Sequence, residues 1–231
     1  MFSNFKKTEY RLEKKFVIEE NNVVSFKAYL ATNFFKKPYP NREVNSIYVD
    51  TINLDNLRDN INGVNIRTKH RFRWYEKKLN NVQFEQKNKR QFYGWKNKYL
   101  AGSFPNEKEL IKNINNKNIY KKIIFLNKFN FIPILKTSYK RSYWVSKNNK
   151  IRATLDRNLI ASTIHIQDLK NNIEKKVHLY ENIIEFKIPV ENEEYFRNLI
   201  HYSNLNLRVQ KFSKYVRAFT ELDYQGLFLK I

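Results

Sequence analysis

Charged residues recur at every second position in several short segments of this chain: Arg11-x-Glu13-x-Lys15, Lys69-x-Arg71-x-Arg73, Glu85-x-Lys87, Tyr139-x-Arg141, Arg152-x-Thr154-x-Asp156 and Glu185-x-Lys187. A spacing of two places side chains on one face of a β-strand. The interleaved residues are often apolar: Tyr10, Leu12 and Phe16; Phe72 and Trp74; Ile151, Ala153 and Leu155; Ile184, Phe186 and Ile188. Each segment therefore predicts a strand with one face for a core and an opposite face rich in cations, with some carboxylates. Such faces suit an anion.

Strand patterns span about 8–19, 44–50, 65–76, 82–90, 132–146, 150–157, 160–166 and 181–188. Leu79-Asn80-Asn81 and Lys147-Asn148-Asn149 read as turns, and Asn62-Gly63 as a hairpin turn. Helical spacing appears over 22–33, 107–114, 117–127, 191–201 and 211–222, with a helical turn near 54–60. No repeat or low-complexity linker divides the chain, so residues 1–231 are expected to form one α+β domain. An antiparallel sheet of about eight strands decorated by helices most readily removes its edges by closing into a barrel.

The chain carries 44 Lys+Arg against 22 Asp+Glu, a formal charge of +22 that attracts polyanions at long range. Cysteine is absent, which removes disulfides and thiolate sites, and His70, His165, His178 and His201 lack ligand spacing. Neither G-x-x-x-x-G-K-[ST] nor G-x-G-x-x-G occurs among only four glycines. Any phosphate must then be held by side chains. No apolar run approaches the roughly 20 residues of a membrane span, and a cytoplasmic protein is expected.

Gathering Lys15, Arg71, Arg73, Lys87, Arg141 and Arg152 inside a barrel is costly without a counter-anion, because like charges about 4 Å apart repel by roughly 4 kcal/mol at an effective dielectric near 20. A linear phosphate chain fits, since its charge repeats along one axis and arginine forks match its oxygens. Glu13, Glu85 and Glu185 would serve as carboxylate ligands for Mg2+ or Mn2+. The competing view of each segment is a solvated strand face with cross-strand ion pairs. Trp74, Trp95 and Trp144 read as packing or barrel-rim residues.

Tyr10-Arg11-Leu12-Glu13-Lys14-Lys15-Phe16, Ile47-Tyr48-Val49-Asp50, Arg71-Phe72-Arg73-Trp74-Tyr75, Glu85-Gln86-Lys87, Ser138-Tyr139-Lys140-Arg141, Arg152-Ala153-Thr154-Leu155-Asp156, Glu185-Phe186-Lys187 and Lys211-Phe212-Ser213-Lys214-Tyr215 occur in that order. Together they resemble the VTC domain of polyphosphate polymerases, within the CYTH or triphosphate tunnel superfamily. The resemblance implies an eight-stranded antiparallel tunnel that binds ATP or another triphosphate and inorganic polyphosphate. It implies phosphate-binding roles for Lys15, Arg71, Arg73, Lys87 and Arg141, with Tyr139 beside them, Ser213 and Lys214 reaching in from the C-terminal helix, and Lys98 as a further contact. Arg152 joins this set by its alternation, Glu185 is the implied metal carboxylate, and Glu13 is the second metal candidate.

The superfamily's opening Glu-x-Glu-x-Lys stands here as Arg11-x-Glu13-x-Lys15, which points away from a two-metal hydrolase. Transfer to a polyphosphate end needs no general base, since the attacking oxygen is already ionised; hydrolysis needs a positioned water. The leading expectation is a divalent-metal-dependent transferase that moves the γ-phosphate of ATP onto a polyphosphate chain and releases ADP. A triphosphatase and a non-catalytic polyphosphate-binding module are the alternatives. A nucleic-acid binder ranks last, because no recognition helix or stacking motif is visible.

Overall fold

The computed structural model describes residues 11–91, 93–121, 130–164, 175–201, 203 and 205–228. Two compact units are built from interleaved segments: residues 1–41, 141–157 and 180–212 form one, and residues 42–140, 158–179 and 213–231 the other. Two strands, β6 (Ile132–Val145) and β7 (Arg152–Thr163), contribute residues to both.

In the first unit, β1 (Arg11–Ile18) pairs antiparallel with β9 (Asn182–Pro189), and β9 pairs with β7. Alternation sends Phe16, Ile184, Phe186, Ala153 and Leu155 into one core. Helix α1 (Asn22–Thr32) adds Val23, Phe26 and Leu30, a helical stripe, and α5 (Glu193–His201) adds Phe196 and Leu199. Here α4 is Asn118–Lys121 and α6 is Lys214–Tyr224, both in the second unit. Phe26 meets Phe186 and Trp144 edge to face, at centroid distances of 6.2 and 6.1 Å. The Lys147-Asn148-Asn149 turn forms as expected: Asn149 takes a left-handed φ of 59°, and the Ser146 hydroxyl accepts from the Ile151 amide.

The second unit pairs β2 (Arg42–Asp50), β3 (Ile66–Tyr75), β4 (Val82–Arg90) and β5 (Tyr93–Gly102) in that order, all antiparallel. Strand β6 lies on the other side of β2, and β8 (Lys176–Leu179) pairs with β7. Ile47, Val49, Phe72, Trp74 and Phe84 point to one face, where α3 (Glu107–Asn115) covers them with Leu110, Ile111 and Ile114, and α4 adds Ile119 and Tyr120. The Asn106 side chain caps α3 by accepting from the Glu109 amide.

Several expectations change. Asn62-Gly63 is no hairpin turn: it terminates α2 (Asp55–Ile61), with Asn62 donating to the Arg58 carbonyl and Gly63 at a left-handed φ of 69°. The segments 150–157 and 160–166 form a single strand, β7, and residues 165–166 lie outside the described residues. Tyr10, His165 and most of the helix expected over 117–127 also lie outside them. Strands β5 and β8 fall outside the expected set: β5 is exposed along most of its length, and β8, although Val177 and Leu179 alternate with Lys176 and His178, is only four residues long.

The antiparallel sheet with helices is present, but the expected closed barrel is not. Among the described residues the pairing order ends at β1 and β5, and neither has a partner strand on its outer side. Each edge is blunted in another way. The outer edge of β1 is taken by a short return segment, with the Gln210 amide donating to the Lys15 carbonyl and Val209 bridging Phe16. Strand β5 is largely exposed and carries Lys96 and Lys98, charges that discourage edge pairing. No described helix is long and apolar enough to cross a membrane.

Phe72 is fully buried between Phe84 and Tyr120. Phe72→Ala is expected to cost about 3–5 kcal/mol in urea unfolding; a loss below about 1 kcal/mol would contradict this packing.

Candidate functional site

Register sorts the charged residues of the second unit into rows. Lys69 of β3 stands opposite Lys87 of β4, which stands opposite Lys96 of β5. In the next row Tyr48, Arg71, Glu85 and Lys98 align across β2 to β5, and in the third Ser46, Arg73 and Gln83 align. Three lysines directly opposite one another are unfavourable in an ordinary sheet.

Glu85 is the centre of this face. Its side chain is 1% exposed. The Arg71 Nε and Nη2 donate to Glu85 Oε2 at 2.8 and 2.6 Å, and Lys96 Nζ donates to Oε1 at 2.9 Å. Arg73 Nη1 lies 3.5 Å from Oε2 and Lys98 Nζ 3.9 Å from Oε1. Burial pushes the Glu85 carboxyl up, but Arg71, Arg73 and Lys96 outweigh it and hold the group well below the usual carboxylate range. Burial opposes the charge of Arg71, yet Tyr48, Glu85 and Tyr139 keep it cationic. So enclosed, the Glu85 carboxylate serves these cations as a counter-anion.

Tyr139 links two expected phosphate residues. Its hydroxyl accepts from Arg73 Nη2 at 3.0 Å, and Lys214 Nζ lies 4.7 Å from its ring centroid. Lys69 Nζ donates to the Ser213 hydroxyl at 2.7 Å. Ser213 is the N-cap of α6, accepting from the Val216 amide, so Lys211 and Phe212 precede the helix rather than belong to it.

The first turn of α6 is anchored by Asp50. This buried carboxylate accepts from the backbone amides of Thr51, Asn56 and Leu57, from the Asn56 side chain, and from the Tyr215 hydroxyl at 2.8 Å. Tyr215 also stacks on Tyr48, with centroids 4.8 Å apart and rings 9° from parallel. Asp50 was legible only as part of a motif; its anchoring role needs the fold.

The first unit carries its own charged face. Glu13, Lys187 and Arg152 align across β1, β9 and β7, followed by Lys15, Glu185 and Thr154. Lys187 Nζ lies 3.9 Å from Glu13 and 3.5 Å from Glu185, so the two expected metal carboxylates converge on one cation. Lys15 Nζ donates to the Phe212 carbonyl at 2.9 Å and lies 3.9 Å from Glu185. Arg141 forms a fork with Asp156, at 2.5 and 2.6 Å. Among the described residues no group of three or more His, Asp or Glu side chains is placed to hold a metal.

The structure thus brings Arg71, Arg73, Lys87, Lys98 and Tyr139 onto one face, with Ser213 and Lys214 tied to it. It places Lys15, Arg141, Arg152, Glu13 and Glu185 on the face of the other unit. Lys96 was missed. The spacing Lys96-x-Lys98, set against Trp95 and Tyr99 at alternate positions, was the available signal, muted because most of Tyr93–Gly102 is exposed.

These features define an antiparallel α+β protein whose strands present cations in register, with no glycine loop behind them. The VTC domain profile matches residues 10–222, and the chain belongs to the VTC domain family. Its fold is similar to that of a protein from Vibrio parahaemolyticus described as a candidate adenylate cyclase, at 11% identity and a TM-score of 0.55, covering 92% of this chain and 98% of that one. A conserved hypothetical protein from Pyrococcus furiosus is similar at 13% identity and a TM-score of 0.49, covering 88% of this chain and 98% of that one. No curated protein matches.

Tyr215→Phe removes one hydrogen bond to a buried carboxylate and is expected to cost about 2 kcal/mol in urea unfolding; a change within about 0.5 kcal/mol would contradict the anchor. Burial pushes the Lys96 amine down to about 8, with Glu85 supporting its charge and Arg71 and Lys98 opposing it. The unfolded chain then holds more protons at this site between pH 8 and 10.5, so the Lys96 contribution to stability rises with pH across that window. NMR of lysine-labelled protein is expected to show a midpoint near 8, and one near 10.5 would contradict the burial.

Proposed function

We propose that this chain is a divalent-metal-dependent polyphosphate polymerase, transferring the γ-phosphate of ATP to an inorganic polyphosphate chain with release of ADP. The observation that carries the reading is the row Lys69, Lys87 and Lys96, with Arg71 and Arg73 in the rows beside it. Such an alignment favours an anion with several adjacent charges lying along it. In this reading Lys87, Lys98, Arg71, Arg73 and Tyr139 hold phosphoryl oxygens, and Ser213 and Lys214 add contacts from the start of α6. Within the first unit, Lys15, Arg141 and Arg152 are read as phosphate-binding in their own right.

Glu13 and Glu185 fit Mg2+ or Mn2+, which is commonly held by one or two carboxylates together with substrate phosphates. Both carboxylates lie on the same face of β1 and β9 and approach Lys187, which a metal would have to displace. The metal would supply charge neutralisation between phosphoryl oxygens. Everything else falls to the side chains: arginine forks orient the phosphoryl group, and lysines offset the charge of donor and acceptor.

Synthesis is favoured over hydrolysis by what the acids are doing. Asp50, Glu85 and Asp156 are each nearly fully buried and hydrogen-bonded to amides or cations. None is disposed to activate a water, whereas the ionised end of a polyphosphate needs no such base.

Purified protein with ATP and Mn2+ is expected to yield ADP and long-chain polyphosphate. ADP and free phosphate without polymer would shift the reading to a triphosphatase, and binding without turnover to a non-catalytic module. Arg71→Ala, Arg73→Ala and Arg141→Ala are each expected to lower kcat/KM by about 100-fold or more. Glu185→Gln is expected to abolish metal-dependent turnover; full activity would remove the metal assignment.

A further inference from the structure

Resting on the triphosphate reading, we propose that Glu85 is a selectivity residue: a built-in counter-anion that orients Arg71, Arg73 and Lys96 before ligand arrives and sets the charge a ligand must carry to bind. Among the described residues, Glu85 is the carboxylate that these three cations and Lys98 approach together. It occupies the Nε and Nη2 donors of Arg71 and one donor of Lys96, while Arg73 is steered by Ser46 and Tyr139 as well.

Four cations around one carboxylate leave a positive excess of three. An anion entering this face competes with Glu85 for the same donors and meets its repulsion at close range. Orthophosphate, one phosphoryl group, can engage only part of the excess and still faces the carboxylate. A triphosphate spreads its charge over successive rows and reaches Lys69 and Lys87 in register, away from Glu85. The carboxylate therefore penalises the short anion more than the long one. It acts as a positioning residue, through the cations it holds rather than by touching the reacting atoms.

The test is isothermal titration of tripolyphosphate and of orthophosphate, at fixed ionic strength, into wild type, Glu85→Gln, Glu85→Asp and Lys96→Met. The wild type is expected to prefer tripolyphosphate. In Glu85→Gln, orthophosphate affinity should rise and the preference should narrow by about tenfold, the scale of one screened charge interaction. Glu85→Asp, which keeps the charge, should keep most of the preference.

Melting temperatures give a second readout. Tripolyphosphate should raise that of Glu85→Gln more than that of wild type, because the ligand replaces the missing anion. Should Glu85→Gln not fold, Lys96→Met carries the test: it lowers the positive excess, so tripolyphosphate should lose more affinity than orthophosphate. An unchanged preference in Glu85→Gln, or equal losses for both anions in Lys96→Met, overturns the proposal and leaves the triphosphate reading standing. Wild type that binds no tripolyphosphate overturns both. Because binding is measured without turnover, a protein that binds selectively but makes no polymer still supports the role of Glu85.

Discussion

Everything in the second unit is arranged around like charges held in register. Lys69, Lys87 and Lys96 face one another across three strands, and Arg71 and Arg73 follow on the same face of β3. Repulsion of this kind opposes sheet formation, and it is sustained by two means. The opposite face of the same strands buries Phe72, Trp74 and Phe84 under α3, so the apolar term holds the strands together. On the charged face the Glu85 carboxylate offsets part of the excess at distances of 2.6 to 2.9 Å.

The strand alternation made this arrangement legible in the residues alone. Lys69-x-Arg71-x-Arg73 and Glu85-x-Lys87 interleave with Phe72, Phe84 and Trp74, and a period of two is a strong signal when one side is apolar and the other charged. Strand β5 shows the limit of that signal. It is an edge strand, exposed along most of its length, with glycine at 94 and 102, so the contrast between its two sides is weak. Lys96 was invisible for that reason, although it is the lysine that donates to Glu85.

Pairing between distant segments was equally beyond local pattern. Closure into a barrel followed from the general cost of open edges, but β1 satisfies part of its edge with residues 209 and 210, far along the chain. Asn62-Gly63 fits a hairpin turn and a helix terminus alike, and the preceding helix α2 decides the matter. For Glu85, alternating carboxylates and cations do not reveal which charges meet. Cross-strand register does: Arg71 lies directly opposite, and the carboxylate is consumed by it. Glu13 and Glu185, by contrast, both approach Lys187, and Lys15 also approaches Glu185.

The central claim is that strand-borne side chains, rather than a backbone loop or a recognition helix, hold a phosphate chain. Side-chain NMR of arginine-labelled protein tests it most directly, by following the Nε–H signals of Arg71 and Arg73 during titration with tripolyphosphate and, separately, with duplex DNA at equal phosphate concentration. Both signals should shift and saturate with tripolyphosphate and stay nearly still with DNA. Equal shifts with the two ligands, or none with tripolyphosphate, would contradict the account.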